Sequence, residues 1–593
     1  MVKEKFILGL TISGPNTSAC LYGNQQGLVS FAEEERFTRV KLAMDVIPTR
    51  SIKYCLNSAQ LKLSDVDLIT IGWNHNKYPE FMASFYQRRM SHPEKDFYSD
   101  QIEKIKLAEK SPKTILKQLQ IAFRRAGLQE NLPKIVFKNH HESHVASVFY
   151  PSLFDKAITI VVDGSGEEMS TSIWECHKNR LPKLLYYYEL PDSLGYFYGA
   201  MTEYLGFSIF TGEGKVMGMA PYGKPNKSIR NKLNEFLSID DKQTYTVNPE
   251  YVYFGPRTSS FKHTDNLASL LGIPPRSPES TIDQIYLDIA YETQDLLETI
   301  IKSIVVKFIK NTKIRNICIA GGVANNCKMN GLVSSLPEVD NCFVLPASAD
   351  NGVSFGSAIL HCAEQDTRNL VLNKPFDPYV GPSYSNEIIL QTLKEAKLTK
   401  FKQYQNEDIL CKDVASFLVD GKIVGWFQGR LEVGARALGN RSILANPAFP
   451  EMKEKINKDV KKREFFRPFA PSVLEEFAND WFDFDGQKNY KFMHKFMLQA
   501  ANARQIAKER IPAVVHVDNS IRPQVLSNND NPLYHKLISE FYLQTDIPVL
   551  LNTSFNVRGE PIVCKPEEAL RCFISHGLDI LVMGNILLNK NDL

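Results

Sequence analysis

Three histidines lie close together in the segment NHHESHVASVF, and two of them have the spacing of a metal site. His140 and His144 are four residues apart, so on a helix their imidazoles share one face. A predicted strand over residues 157–162 ends on Asp163, whose carboxylate can add an oxygen ligand. Imidazole nitrogen and carboxylate oxygen suit divalent transition metals. The pattern indicates a candidate metal centre, and the alternative is two ordinary polar helix residues and a turn aspartate.

Glycine-rich segments at three further places favour a bound nucleotide. One reads GEGKVMGMAPYG over residues 212–223, and taken alone it is equally typical of a flexible turn. The other two, GGVANN and PASADNGVS, each join a predicted strand to a predicted helix. Glycine lets backbone N–H groups approach a ligand, and a helix N-terminus attracts anions. Gly321 and Gly322 lie in the first of these two loops, and Asp350 lies in the second.

Arginines in the last third of the chain alternate with glycine, proline and aromatic residues. They occur in GRLEVGARALGNRSILANP, in VKKREFFRPFAPSV and in VHVDNSIRPQ. On an exposed helix face, charges recur at helical spacing beside glutamate, and these do not. Guanidinium groups held in this way favour phosphate or carboxylate oxygens. The candidate anion ligands are Arg430, Arg436, Arg441, Arg463, Arg467 and Arg522.

Length and composition limit the class of protein. A chain of 593 residues exceeds one hydrophobic core and predicts two to four domains. Lys plus Arg is 70 and Asp plus Glu is 67, so bulk charge gives no reason to expect nucleic-acid or membrane partners. None of the ten cysteines forms a CxxC pair, which leaves zinc-ribbon chemistry without support. The short apolar run after the charged N-terminus is unlike a signal peptide, and we expect a cytoplasmic protein.

Hydrophobic periodicity predicts an α/β protein in two parts. Strands are predicted over 6–10, 18–22, 28–34, 68–72, 157–162, 172–176, 316–320, 342–345 and 423–427. Helices are predicted over 50–58, 194–204, 282–310 and 408–418, with a helical insertion over 79–127. The proline-bearing segment 366–386 predicts a linker between domains at 1–365 and 387–593.

Several motifs, in the same order along the chain, resemble those of the NodU/CmcH-type carbamoyltransferases, the group that contains tobramycin carbamoyltransferase. The matching runs are EEERFTRVK, HHESHVASVFYPS, VVDGSGE, GEGKVMGMAPYG, GGVANNCKMN, ADNGVSFGSA, GRLEVGARALGNRSILANP, KKREFFRPFAPSVLEE and LNTSFNVRGEPIV. The resemblance implies an N-terminal ASKHA domain of the TsaD type, a duplicated RNase H-like fold, and a C-terminal YrdC-like α/β domain.

The same resemblance implies an ATP-dependent carbamoyltransferase. The YrdC-like domain would convert carbamoyl phosphate and ATP, with Mg²⁺, to carbamoyladenylate. The first domain would transfer the carbamoyl group to a hydroxyl of a small molecule or sugar, in natural-product or glycan biosynthesis. Transfer between anions depends on charge neutralisation, and an intermediate that hydrolyses in water favours an enclosed path.

Functional residues follow from the resemblance by motif position. The metal ligands would be His140, His144, Asp163 and Asp350, with Fe²⁺ as the expected ion and His141 outside the set. The nucleotide contacts would be Lys41, Gly214, Lys215, Gly321, Gly322 and Asn326. Carbamoyl phosphate and ATP would contact Arg430, Arg436, Arg441, Arg463, Arg467, Arg522, Asn552 and Ser554. The residues assigned to catalysis are Asn16, Lys41, Arg463 and Arg467.

One motif departs from the family. Relatives carry a His-Asp pair in the first loop, as in HDSSAALL, where this chain has Pro15-Asn16. The histidine would be a base for the acceptor hydroxyl. Without this histidine, another residue or the substrate would supply the base, or the acceptor would be an amine. Alternatively, the alignment of this loop with the family pattern is displaced by one residue.

Three functions therefore compete. The first is carbamoylation of a small-molecule hydroxyl, with a homodimer as one oligomeric state. The second is carbamoylation of an amine or a macromolecule, against which the near-neutral charge and missing CxxC pairs count. The third is a non-catalytic nucleotide-binding regulator, against which the arginine set counts.

Overall fold

The computed structural model describes residues 4–77, 110–128, 131–253, 262–371 and 375–593. The chain forms two compact units. Unit 1 comprises Met1–Glu34 and Ala43–Phe376, and unit 2 comprises Glu35–Leu42 and Asp377–Leu593. The second boundary falls inside the predicted linker. Residues 35–42, which the sequence places in the first domain, belong instead to unit 2.

Unit 1 contains two five-stranded sheets of identical topology. In each, three strands form an antiparallel meander, and two later strands lie parallel to the first strand. The first sheet consists of β1 (Phe6–Thr11), β2 (Ser18–Gly23), β3 (Gly27–Glu33), β4 (Leu68–Ile71) and β5 (Lys134–Phe137). The second consists of β6 (Lys156–Gly166), β7 (Met169–His177), β8 (Arg180–Glu189), β11 (Asn316–Ala320) and β12 (Asn341–Val344). A small hairpin, β9 (Leu237–Ile239) and β10 (Tyr245–Val247), lies between them in sequence.

The strand orders β3-β2-β1-β4-β5 and β8-β7-β6-β11-β12 are the same order used twice. This is the RNase H-like sheet, and its duplication within one unit defines the ASKHA architecture. The predicted fold of the N-terminal domain is confirmed. Strands β1 and β2 are almost wholly buried, as expected for strands covered on both faces.

Unit 1 also contains most of the long helices. They are α2 (Thr49–Ser58), α3 (Pro112–Arg125), α4 (His140–Phe149), α5 (Leu194–Tyr204), α6 (Glu213–Met219), α7 (Lys227–Phe236), α8 (Asp265–Leu271), α9 (Gln284–Thr312), α10 (Cys327–Ser335) and α11 (Asn351–Gln365). Helix α1 (Glu35–Thr38) lies in the segment that belongs to unit 2. Helix α3 occupies the described end of the predicted insertion, and the rest of the insertion lies outside the described residues.

Helices α4 and α11 cross in close contact. A Cβ at Gly356 of α11 would overlap the carbonyl oxygen of Ser143 in α4. On the other side of α11, a Cβ at Gly9 of β1 would overlap the carbonyl oxygen of Ser354. Only glycine permits both backbone approaches. The two glycines therefore fix α4 and α11 against each other and against the first sheet.

Unit 2 is built on an eight-stranded mixed sheet in the order β13-β23-β22-β14-β15-β21-β16-β20. Its strands are β13 (Lys402–Gln403), β14 (Val424–Phe427), β15 (Arg441–Ala445), β16 (Ala470–Leu474), β20 (Gln524–Leu526), β21 (Val549–Ser554), β22 (Ile580–Met583) and β23 (Ile586–Asn589). A three-stranded sheet contains β17 (Phe482–Asp483), β18 (Ala501–Ala503) and β19 (Ser520–Ile521). The helices are α12 (Asn386–Glu395), α13 (Glu407–Val419), α14 (Met452–Lys455), α15 (Ala478–Trp481), α16 (Tyr490–Met493), α17 (Gln505–Arg510), α18 (Pro532–Thr545) and α19 (Pro566–Ser575).

Two arginines and an aromatic ring hold segment 35–42 in unit 2. Arg36 donates to the carbonyl of Gly434 at 2.7 Å, and Arg39 donates to the carbonyl of Ile562 at 2.6 Å. Phe37 packs against Leu431 and Ile562. The segment thus contributes backbone and side chains to the core of unit 2.

The main difference from the sequence prediction concerns residues 212–223. The sequence predicts a glycine loop, whereas Glu213–Met219 is the helix α6, followed by a 3-10 turn over Ala220–Tyr222. Burial of Val216 and Met219 outweighs the low helix propensity of the glycines. Within the described residues, no helix is long and apolar enough to cross a membrane.

Candidate metal centre and anion site

Four side chains of unit 1 converge on one point. His140 and His144 come from α4, Asp163 from β6, and Asp350 from the residue before α11. One nitrogen or oxygen atom of each lies within 4.8 Å of those of the other three. The Nε2 atoms of His140 and His144 are 3.4 and 3.5 Å from Oδ2 of Asp163, and each is 3.7 Å from Oδ1 of Asp350. We call these four residues the metal centre.

Asp163 occupies an irregularity of β6, and the sequence expectation that it ends the strand is wrong. The pairing of β6 with β7 shifts register between Val162 and Gly166. Oδ1 of Asp163 accepts hydrogen bonds from the backbone N–H groups of Gly164 (2.8 Å) and Gly322 (3.2 Å). These bonds leave Oδ2 facing the two imidazoles.

Neighbouring groups orient His140. Its Nδ1 donates to the carbonyl of Gly72 at 2.9 Å, so Nε2 faces the metal centre. The indole ring of Trp73 lies 4.8 Å from its imidazole, centroid to centroid. Glu167 accepts a hydrogen bond from its backbone N–H. This ring has the fixed orientation of a metal-binding histidine.

The donor set fits a divalent metal ion. Both ring nitrogens of His144 are buried and have no hydrogen-bond partner among the described residues. A buried polar atom without a partner is costly, and coordination would satisfy one of the two nitrogens. His141 lies outside the centre, because its Nδ1 lies 2.7 Å from the hydroxyl of Ser172.

Without an ion, the centre holds a proton. Burial disfavours the imidazolium of His140, but the hydrogen bond to Asp163 and the charge of Asp350 outweigh it and raise the pKa of His140 to about 9. The two imidazoles in turn hold the pKa of the buried Asp163 carboxyl well below its usual value. Metal must therefore displace a proton from Nε2 of His140.

We predict that metal binding releases about one proton and strengthens as pH rises toward about 9. Each unit of pH below this value should weaken Mn²⁺ binding about tenfold, because the imidazolium competes with the ion. Calorimetry in buffers of different ionisation enthalpy measures both quantities. An affinity independent of pH between about 6 and about 9 would contradict this arrangement.

Gly321 and Gly322 also lie at the metal centre. Gly321 has φ +92°, and a Cβ there would overlap the carbonyl oxygen of Val162. Gly322 donates its N–H to Asp163, as described above. Asn326 is committed elsewhere: its Oδ1 caps α10 through the N–H of Met329 (3.1 Å), and its amide pairs with Gln294.

Gly214 and Lys215 lie in the first turn of α6, where Nζ of Lys215 is 5.1 Å from the ring centroid of Phe207. The structure thus gives them a helical position instead of the predicted loop.

The loop before β2 approaches the metal centre. Gly14 has φ +74°, and a Cβ there would lie 3.2 Å from Oδ2 of Asp350. Asn16 has φ +60°, a left-handed conformation that asparagine tolerates well. Pro15 lies between these two residues. The loop reaches the metal centre without bringing an imidazole to it.

Three of the six predicted arginines gather in unit 2, where their charges act on one another. Burial lowers the pKa of Arg463, and the charges of Arg467 and Arg522 lower it further. Burial likewise lowers the pKa of Arg467; the charge of Glu464 opposes this effect, and Arg522 and Arg558 add to it. A cluster of half-buried like charges of this kind is suited to an anionic ligand.

Lys461 joins this group from the preceding turn. Burial, then Arg463 and Arg467, and also Lys41, lower its pKa. Its Nζ donates to the carbonyl and the side chain of Asn556, both at 2.9 Å, and to the carbonyl of Ser554. We call Lys461, Arg463, Arg467, Arg522 and Arg558 the basic site. Lys41, predicted to contact nucleotide in the first domain, instead exerts its charge in unit 2.

Sequence reasoning missed Lys461 and Arg558 as site residues. Both lie inside motifs that the sequence singled out, KKREFFRPF and LNTSFNVRGEPI. Ser554 donates its hydroxyl to Oδ1 of Asn556 at 2.7 Å. Asn552 donates to Oγ of Ser472 at 3.0 Å, and its own Oδ1 is buried without a partner among the described residues.

The guanidinium groups of Arg430 and Arg441 donate hydrogen bonds to backbone carbonyls. Arg441 is fully buried, with its guanidinium 3.7 Å from the ring centroid of Phe427, and it donates to the carbonyls of Asn440 (3.0 Å) and Pro382 (3.2 Å). Arg430 donates to the carbonyl of Val380 at 2.7 Å. Both arginines brace the loop that they belong to. Arg436 is half-buried on the same loop.

A single carboxylate organises that loop. Oε1 of Glu432 accepts hydrogen bonds from the backbone N–H groups of Leu438 (2.7 Å), Asn440 (3.2 Å) and Arg441 (3.1 Å). Glu432 is fully buried, and its charge favours the charged form of Arg441. The GRLEVGARALGNR segment thus folds around a buried carboxylate, whose charge acts on the buried Arg441 guanidinium.

We predict unequal losses of stability for substitutions of two arginines of unit 2. Arg441→Met should lower the free energy of unfolding of unit 2 by about 3 kcal/mol, because several buried carbonyls and Glu432 lose their donor or counter-charge. Arg467→Met should cost less than about 1 kcal/mol, since it relieves repulsion in the basic site. Denaturant unfolding of both variants measures the difference, and equal losses would refute the distinction.

Comparison with known proteins identifies the family of this chain. Residues 7–359 match the family described as Carbamoyltransferase N-terminus, and residues 415–590 match Carbamoyltransferase C-terminus. The chain thus belongs to a family of carbamoyltransferases. The chain is a member of the NodU/CmcH-type carbamoyltransferase family.

Relatives agree with this assignment. An uncharacterized protein of Synechocystis is 36% identical over 98% of this chain and 96% of its own length. The nodulation protein NolNO of Sinorhizobium fredii is 32% identical over 95% of this chain and 77% of its own length. The 3'-hydroxymethylcephem-O-carbamoyltransferase of Amycolatopsis lactamdurans is 30% identical over 45% of this chain and 47% of its own length.

Solved structures are more distant. Component A of the (R)-2-hydroxyglutaryl-CoA dehydratase of Acidaminococcus fermentans has a TM-score of 0.32 and 12% identity, covering 62% of this chain and 99% of its own. HypF of T. kodakarensis has a TM-score of 0.30 and 14% identity, covering 62% of this chain and 49% of its own.

Proposed function

We propose that the protein carbamoylates a hydroxyl of a small molecule or sugar, using carbamoyl phosphate and ATP. The net reaction consumes carbamoyl phosphate, ATP, water and acceptor, and yields the carbamate ester, AMP, pyrophosphate and phosphate. The observation that carries the proposal is the presence in one chain of two chemically different sites, the basic site and the metal centre. Family membership supports the carbamoyl group as the unit transferred.

The basic site suits the first half of the reaction. Glu464, 3.9 Å from Arg467, is a carboxylate beside Arg463, Arg467 and Arg522. Carbamoyl phosphate and the ATP triphosphate would supply the remaining negative charge. Carbamate, formed as carbamoyl phosphate loses phosphate to water, would attack the α-phosphorus of ATP. Carbamoyladenylate forms and pyrophosphate leaves. Lys461 and Lys41 extend the positive charge, and Mg²⁺ would accompany the triphosphate.

The metal centre suits the second half. His140, His144, Asp163 and Asp350 would hold a divalent ion, with Fe²⁺ favoured by the family, and that ion would polarise the reacting group as a Lewis acid. Gly322 orients Asp163, and Gly72 orients His140. The acceptor oxygen would attack the carbamoyl carbon, its proton would pass to a base, and AMP would leave. The buried surroundings of the four ligands limit competing hydrolysis.

A second acceptor class follows from the loop at Pro15. The loop lies against Asp350 without a histidine, so a nucleophile that needs no strong base is better suited to this site. An amine is such a nucleophile, and its product would be a urea. Labelled carbamoyl phosphate offered with hydroxyl and amine acceptors separates the two, because carbamate esters are cleaved by alkali more readily than ureas. We expect an alkali-labile product, and a stable one would favour the amine.

We predict that variants of the basic site and of the metal centre impair different steps of the reaction. Arg522→Ala should lower carbamoyl-phosphate-dependent release of pyrophosphate from ATP at least about a hundredfold, because a charged contact from this half-buried arginine to the anion is lost. Asp350→Asn should retain pyrophosphate release and lose transfer to the acceptor. Coupled pyrophosphate assays and labelled transfer assays measure the two steps.

Lys412→Ala, an exposed position in unit 2, is the matched control and should retain both steps. Failure of the wild-type protein to release pyrophosphate with metal, ATP and carbamoyl phosphate present would overturn the proposed function. Loss of both steps in Asp350→Asn would overturn the division of labour.

A further inference from the structure

One lysine of unit 1 runs along helix α5 and ends beside Tyr196, a side chain that contacts the two residues after Asp163. The backbone N–H groups of Lys262 and His263 donate to Oε2 of Glu203 at 2.8 and 3.0 Å, which anchors the lysine at the end of the helix. A Cβ at Gly199 would lie 3.5 Å from Cγ of Lys262, so the glycine leaves room for the methylene chain. Nζ then lies 3.5 Å from the ring centroid of Tyr196. Glu203, Gly199 and Tyr196 lie four and three residues apart and form one stripe of α5.

That stripe leads directly to the strand that carries Asp163. A Cβ at Gly164 would lie 2.9 Å from Cε1 of Tyr196, and the tyrosine hydroxyl is 3.1 Å from Oγ of Ser165. Ser193, which caps α5, donates its hydroxyl to the carbonyl of Gly164 at 2.7 Å. The positive end of the α5 dipole therefore lies at the same place as the Lys262 ammonium.

The ammonium of Lys262 is buried and unsatisfied. Lys262 is 2% exposed, and Nζ has no hydrogen-bond partner among the described residues. The two nearby carboxylates are used by backbone groups: Glu203 as above, and Glu213 by the N–H of Phe210 at 2.7 Å. Burial lowers the pKa of Lys262 to about 7, and Glu203 and Glu213 oppose this only in part. A buried ammonium group without a hydrogen-bond partner would be stabilised by an anion bound beside it.

The charge balance at the metal centre indicates that this anion is a phosphoryl group. Two aspartates cancel the two charges of a divalent ion, and two neutral imidazoles add none, so the loaded metal centre has no net charge left for a ligand phosphate. A phosphoryl group bound there needs a further cation. Among the described residues, Lys262 brings a buried, unpaired positive charge to the segment that follows Asp163.

We propose that Lys262 and the first turn of α5 form a phosphoryl subsite that holds the phosphate of a nucleotide bound at the metal centre. The proposal rests on the proposed function, in which AMP is the leaving group at this site. Lys262 is then a binding residue that contacts the phosphate oxygens, and Tyr196 is a positioning residue that holds the ammonium in place.

Binding of AMP to the full-length protein tests the subsite. With stoichiometric Mn²⁺, paramagnetic relaxation of the AMP phosphorus reports only nucleotide close to the metal centre. Lys262→Met, which keeps the length of the chain without the charge, should weaken this binding at least about tenfold, as expected for a charge-assisted contact. Lys262→Arg should stay within about threefold of the wild type, since the charge remains.

Competition by adenosine and by inorganic phosphate distinguishes the contribution of the nucleoside to AMP binding from that of the phosphate. Competition by adenosine should be equal in wild type and Lys262→Met, whereas competition by inorganic phosphate should weaken in the variant. Lys307→Met is the matched control, because Nζ of Lys307 also lies near a tyrosine ring, 5.8 Å from Tyr186, in the same unit. It should bind AMP as the wild type does. Wild-type affinity for AMP in Lys262→Met, or an equal loss for adenosine, would assign Lys262 a purely structural role and overturn the proposal.

A crystal structure of the wild-type protein with Mn²⁺ and AMP decides the question even if Lys262→Met does not fold. A phosphate oxygen within hydrogen-bond distance of Nζ of Lys262 supports the subsite, and a phosphate held elsewhere overturns it. A protein that binds AMP in this way, yet releases no pyrophosphate with carbamoyl phosphate, would refute the proposed function and leave the subsite standing.

Discussion

The close crossing of helices α4 and α11 is the constraint on which the metal centre depends. His140 and His144 precede Asp350 by about two hundred residues, and they meet only because Gly356 lets α11 lie against the backbone of Ser143. Gly9 then fixes α11 on the first sheet, and Gly14 brings the loop before β2 to Asp350. A side chain at Gly356 or Gly9 would overlap a backbone carbonyl and displace α11, and with it Asp350, whose carboxylate lies within 4.8 Å of the other ligand atoms. Backbone contact, more than side-chain packing, holds the centre together.

Charge is distributed differently in the two units. The metal centre pairs two imidazoles with two carboxylates, so it accepts a cation at the cost of a proton from His140. The basic site holds several cations with few counter-charges, so it is completed by an anion. Glu432 and Arg441 show that unit 2 also uses buried charge for structure, since backbone N–H groups donate to Glu432 and Arg441 donates to backbone carbonyls.

Local sequence patterns predicted most elements of the fold. Strand β11 and helix α5 were predicted with the bounds that the structure shows, and the duplicated sheet followed from the family motifs. Helix α6 was not predictable, because its glycines suggest a loop and its burial depends on distant residues. The position of Asp163 in a strand irregularity was equally hidden, since register shifts arise from pairing with β7.

The sequence predicted which residues lie at the candidate sites better than it predicted what each residue does there. The structure brings the four candidate metal ligands together: two share a helix face, Asp163 lies in an irregularity of β6, and Asp350 lies in the loop after β12. Arg441 was wrongly grouped with the anion ligands, since its carbonyl partners exist only once the loop has folded around Glu432. Lys41 and Lys262 lie far in sequence from the groups that they act on, and their positions required the tertiary structure.

The central claim is that one divalent ion binds His140, His144, Asp163 and Asp350. Anomalous X-ray scattering from crystals of the full-length protein loaded with Fe²⁺ or Mn²⁺ tests it most directly. We expect a single strong peak in unit 1 about 2 Å from Nε2 of both histidines and from one oxygen of each aspartate. A peak at other residues, or none at these four despite bound metal in solution, would contradict the account.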